Sequence, residues 1–91
     1  MVSRDVVFRD RYGLHPRSAH RIQQVLGEAA ARVTLQDLAS GGPAIDARSM
    51  LALVSSGIRA GDQVRVTADG PDEEAVLATI TALLEAGVCH P

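Results

Sequence analysis

Hydrophobic positions along this chain alternate between a period of two and a period near 3.6. Val6-Val7-Phe8 form a strand run closed by the polar stretch Asp10 to Gly13, since branched and aromatic side chains suit a pleated, half-buried surface. From Pro16 to about Ala31 the apolar residues Ala19, Ile22, Leu26 and Ala29 recur at helical spacing, which predicts a helix with one buried stripe. Val33 and Leu35 then alternate with Thr34 and Gln36, the signature of a half-buried strand. Ser40-Gly41-Gly42-Pro43 is a turn signal, after which Ala44-Ile45-Asp46 returns as a short strand. Ser49 suits the cap of a second, short helix running through Ser56, stopped by Gly57. Val64, Val66 and Ala68 give a fourth strand. Gly70-Pro71-Asp72-Glu73-Glu74 opens a third helix, with Val76, Ile80, Leu83 and Leu84 as its buried face and Gly87 as its end.

The predicted order is β-α-β-β-α-β-α. It implies an α+β fold: a two-layer open-faced sandwich with a four-stranded, mainly antiparallel sheet covered on one face by three helices. The 91 residues are read as a single domain, 1–91. With one Phe, one Tyr and no Trp, the core has to be built from aliphatic side chains. A net charge of −2 and the scarcity of aromatics argue against nucleic acid as a partner. The lone Cys89 rules out an internal disulfide and a multi-cysteine zinc site. No apolar run approaches the ~18 residues of a membrane span, and no signal core opens the chain. A cytoplasmic protein without membrane insertion is expected.

The richest chemistry lies in Gly13-Leu14-His15-Pro16-Arg17-Ser18. Pro16 fits the first position of a helix, where its missing N–H has no intrahelical partner to lose. His15 then stands at the cap, beside the positive end of the helix, with Arg17 close by. An imidazole, a guanidinium and free backbone N–H groups converge, a combination suited to a phosphoryl group. A histidine that merely caps the helix is the simpler alternative. His20 is poorly spaced from His15 for a shared metal, and Cys89-His90 supplies only two ligands at the tail. No metal and no cofactor are expected.

The segment around His15 resembles the Gly-Leu-His-x-Arg-Pro motif of the histidine-containing phosphocarrier family, HPr, of the bacterial phosphotransferase system. Three further blocks are similar to that family in order and spacing: Ala47-Arg48-Ser49-Met50-Leu51-Ala52-Leu53, Gly57-Ile58-Arg59-Ala60-Gly61-Asp62, and Asp69 to Glu74. The resemblance implies a carrier that takes a phosphoryl group onto His15 Nδ1 from phosphorylated enzyme I and passes it to sugar-specific IIA-type domains. It is a phosphoryl carrier more than a turnover enzyme. Arg17 would share the catalytic site with His15. The family usually has Ala or Thr at Pro16 and Pro at Ser18. Because Pro16 has no N–H, the phosphate-binding donors are expected to move to Arg17 and Ser18.

The same resemblance implies that Met50, Leu51 and Val54 form an exposed apolar docking patch, ringed by Arg17, Arg21 and Arg48. Ser49 matches the family's regulatory serine, which implies a serine kinase/phosphorylase as a further partner; capping alone is the alternative. A monomer suits a shuttle with several partners. The carrier of a nitrogen-type branch, the carrier of a dihydroxyacetone kinase and a non-catalytic regulatory module on the same fold remain alternative readings.

Overall fold

In the computed structural model, which describes residues 1–87, strand β1 spans Val2–Val7 and pairs antiparallel with β4, Gln63–Asp69. β1 begins at Val2 rather than Val6. It is an edge strand whose Ser3, Arg4 and Asp5 are exposed, so its first half carries little hydrophobic signal. Phe8 lies beyond it and is almost fully buried. Its backbone is held by hydrogen bonds from Phe8 N–H to the Asp62 carbonyl (2.9 Å) and from Gly61 N–H to the Phe8 carbonyl (2.7 Å).

Helix α1 covers Pro16–Leu26 and buries Ser18, Ala19, Ile22 and Leu26. It stops short of the expected Ala31. Gly27 adopts φ 49°, and its N–H bonds back to the Gln23 carbonyl. That positive φ is accessible to glycine and ends the helical geometry before the alanines that follow. The connection is clamped instead by Asp72, whose carboxylate accepts N–H groups from Ala30 (3.0 Å) and Ala31 (2.8 Å). Asp72 is the N-cap residue of α3, Glu73–Ala86, yet its side chain makes no cap bond there. Gly70 lets the two segments meet: a Cβ at this position would lie 2.6 Å from the Ala31 Cα.

β2 (Arg32–Asp37) pairs with β4 on one side and with the two-residue β3 (Ile45–Asp46) on the other. The sheet order is β1-β4-β2-β3 and every pairing is antiparallel. The expected α+β sandwich is therefore observed, with its three helices completed by α2, Met50–Val54. Val33, Leu35, Val64, Val66 and Ala68 share the core with Ile22, Leu26, Ile80 and Leu84. The opposite face is polar. There Arg65 donates to Asp5 (2.8 and 3.2 Å) from the directly paired position, and these bonds hold the Asp5 carboxyl below its ordinary range.

The buried face of α3 is Leu77, Ile80, Thr81 and Leu84, with Val76 and Leu83 only partly buried beside it. Thr81 can face the core because its hydroxyl donates to the Leu77 carbonyl at 2.8 Å, so its own polar group is not buried unpaired.

Candidate functional site at the mouth of α1

The β1–α1 loop is built as a tight turn docked on a second loop. The Asp10 carbonyl accepts the Gly13 N–H (3.0 Å), and Asp10 Oδ1 accepts the Tyr12 N–H (3.2 Å). Such a side-chain-to-backbone bond is the means by which aspartate stabilises turns. Gly13 has φ 74°, and a Cβ there would sit 3.0 Å from the Ile58 carbonyl oxygen. Both the angle and the close approach demand glycine. Leu14 N–H bonds to that same Ile58 oxygen at 3.0 Å. The loop is thus pinned to the segment that follows α2, immediately before His15.

His15 is the N-cap residue of α1, in extended geometry (φ −133°, ψ 175°), followed by Pro16. Its carbonyl accepts the Ala19 N–H at 2.9 Å. Ser18 is fully buried, and its hydroxyl accepts the His15 N–H and donates to the His15 carbonyl, each at 2.9 Å. The Ser18 amide is turned toward the His15 side chain in a capping-box arrangement, without a strict cap hydrogen bond. The hydroxyl that the sequence offers as a phosphate ligand is therefore engaged with the backbone, whereas the amide faces the ring. The imidazole is 29% exposed.

A further participant is Asp10, which the sequence marks only as the start of a turn. Asp10 Oδ2 lies 3.8 Å from His15 Nε2, with the Asp10 side chain only 3% exposed. The Tyr12 ring stands edge-on to the imidazole, with centroids 6.5 Å apart, and the Arg11 guanidinium lies 5.3 Å over the Tyr12 ring. An aspartate preceding glycine in a polar stretch reads as a turn former. Its burial against the histidine depends on the docked loop.

Arg17 and Arg21 are exposed, and neither makes a side-chain hydrogen bond or ion pair among the described residues. Arg48, expected beside them as a steering charge, is turned to the C-terminal end of α1. It donates to the carbonyls of Gly27 (3.1 Å) and Ala29 (2.6 Å), while its own carbonyl accepts from Gln23 (2.9 Å). A guanidinium suits the negative end of a helix and its free carbonyls. Ser49 caps α2 by accepting the Ala52 N–H at 3.2 Å. Met50, Leu51 and Val54 are exposed by 37%, 77% and 39% on that short helix.

Among the described residues no cluster of three or more His, Cys, Asp or Glu could hold a metal ion. Cys89 and His90 lie outside the described residues. No helix among them is long and apolar enough to cross a membrane.

A family model described as "PTS HPr component phosphorylation site" matches residues 2–86. The chain is similar to the phosphocarrier protein HPr of Mycoplasma genitalium, 35% identical over 79 residues, 87% of this chain and 88% of that one. It is also similar to the phosphocarrier protein NPr of Escherichia coli K12, 31% identical over 86 residues, 94% of this chain and 93% of the other. The multiphosphoryl transfer protein of Salmonella typhimurium is 28% identical over 97% of this chain, which spans only 23% of that protein's length. The crystal structure of HPr from Thermoanaerobacter tengcongensis superposes with a TM-score of 0.87, covering 100% of this chain and 99% of that one, at 22% identity.

Proposed function

Because the chain belongs to the PTS HPr family, we propose that it is a cytoplasmic phosphocarrier whose His15 accepts a phosphoryl group from phosphorylated enzyme I and hands it to IIA-type domains. The observation that carries this reading is the N-cap placement of a half-buried imidazole, with the Ser18 amide turned toward it. Pro16 removes one amide from the first turn. The remaining donors beside a phosphoryl group on the ring are the amides of Arg17 and Ser18 and the unengaged Arg17 guanidinium. Charge-assisted bonds to phosphate oxygens are about twice as strong as neutral ones, and the helix N-terminus favours negative charge. The ring is partly exposed, which suits a group that must be passed on.

Docking would use Met50, Leu51 and Val54, an exposed apolar set of the kind that marks a partner site. Arg17 and Arg21, unpaired among the described residues, can meet an acidic partner. Arg48 contributes by holding α1 against the start of α2. A transfer assay tests the whole circuit: phosphoenolpyruvate, Mg²⁺, catalytic enzyme I and a IIA domain, with this chain added or omitted. Phosphorylation of the IIA domain is expected only when the chain is present; equal labelling without it would refute the reading.

A nitrogen-type branch is the second reading, favoured by the similarity to NPr over nearly the whole chain. Running the same assay with enzyme I of each type separates the two by rate.

We further propose Ser49 as a regulatory phosphorylation site. A phosphate there would replace the hydroxyl as acceptor at the N-terminus of α2 and add about −1.5 to −2 charges beside the apolar patch. Intact mass after incubation with an HPr-type serine kinase and ATP is expected to rise by one phosphate. The increase should be absent in Ser49→Ala; its persistence there would remove Ser49 from the account.

A further inference from the structure

We infer that Asp10 is the positioning residue of the site: its buried carboxylate holds a proton on His15 Nε2 and so leaves Nδ1 as the nucleophilic nitrogen. This rests on the reading of His15 as the phosphoryl acceptor. Asp10 is fixed from two sides, through its carbonyl to Gly13 N–H and through Oδ1 to Tyr12 N–H. Oδ2 remains. It is buried, it has no hydrogen-bond partner among the described residues, and it lies 3.8 Å from Nε2. A buried carboxylate oxygen without a donor is costly. An N–H at Nε2 is the donor within reach, and a small rotation of the ring closes the remaining gap. Resting-state hydrogen bonds of this kind are commonly long and tighten during reaction.

The nitrogen that carries the proton in a neutral imidazole is set by the bond the ring makes at its other end. With Nε2–H facing Asp10, the lone pair stands on Nδ1. As the group arrives, the Nδ1 lone pair forms the N–P bond, and the donor's bond to phosphorus breaks with its electron pair leaving on the donor. Nε2 keeps its proton throughout, so the phosphorylated ring carries positive charge next to Asp10. On transfer the N–P bond breaks and its pair returns to Nδ1, giving a neutral imidazole as leaving group. The positive end of α1 disfavours positive charge beside it; Asp10 is the only carboxylate within ion-pair distance of the ring among the described residues.

Asp10→Asn tests the inference with little change in volume. The amide oxygen can keep the Tyr12 bond, but an NH₂ group then faces the ring and favours the tautomer protonated on Nδ1. Long-range ¹H–¹⁵N spectra of the unphosphorylated proteins read the tautomer directly. The expected result is Nε2–H in the natural protein, a shift toward Nδ1–H in Asp10→Asn, and phosphoryl uptake slower by roughly 10–100-fold, by analogy with the loss of the partner that orients a metal-binding histidine. A natural protein already protonated on Nδ1, or a tautomer and rate unchanged in Asp10→Asn, would overturn the inference. If the tautomer shifts but neither protein takes up phosphoryl, Asp10 keeps its positioning role and the phosphocarrier reading fails alone.

Discussion

Replacing His15 by alanine is expected to reduce phosphoryl uptake by at least about 10³-fold, to background, because it removes the nucleophile itself. No other group at the site can take its place: the Ser18 hydroxyl is buried and bonded to the backbone of residue 15. The fold should survive. What His15 contributes to the start of α1 is its backbone, which accepts from Ala19 and exchanges two hydrogen bonds with Ser18, and alanine keeps all of these. The imidazole makes no strict cap hydrogen bond, but its removal leaves the buried Asp10 Oδ2 without the nearby Nε2, so the stability loss should be about 1–3 kcal/mol. Urea unfolding beside a phosphorylation time course separates the two effects. Loss of folding in His15→Ala would mean that the ring has a larger structural role than partnering Asp10 Oδ2.

Phe8→Ala is expected to have the largest effect on stability. Phe8 is the chain's one phenylalanine and is 1% exposed. Truncating a buried phenylalanine costs about 3–5 kcal/mol, through lost transfer energy and the cavity left behind. For a domain of this size 1 kcal/mol moves Tm by about 4–8 °C, so a fall of more than roughly 12 °C should appear in a thermal scan. Phe8 also carries the two backbone bonds to Gly61 and Asp62 at the root of the His15 loop. Alanine keeps both backbone bonds, so phosphoryl uptake by the folded fraction at low temperature should change less than stability does. A Tm within 4 °C of the natural protein would show that the aliphatic core closes over the vacancy.

The parts of the molecule readable from sequence are those in which local chemistry and tertiary position agree. Gly13 and Pro16 mark the mouth of α1 because a positive φ and a missing N–H are backbone properties. The alternation of Val33, Leu35, Val64 and Val66 marks the sheet because those strands bury one face. Where the two disagree, the sequence misleads. The alanines after Gly27 favour helix, yet that glycine ends α1. Thr81 reads as polar, yet it faces the core by bonding its own helix. β1 reads short because an edge strand can carry Ser3, Arg4 and Asp5.

At the site, His15 and the patch on α2 were legible, while the partners of two charged groups were not. Arg48 meets carbonyls of Gly27 and Ala29, far away in sequence. Asp10 reads as a turn former, and its second oxygen reaches the histidine only because Gly13 and Leu14 dock the loop on Ile58. Both contacts are tertiary, and no periodicity or motif in the chain encodes them.

Intact mass spectrometry after incubation with phosphoenolpyruvate, Mg²⁺ and enzyme I tests the central claim most directly. One acid-labile adduct of about +80 Da, the mass of a phosphoryl group, is expected, mapping to His15 and absent from His15→Ala. No adduct with enzyme I of either type, or one that persists in His15→Ala, would contradict it.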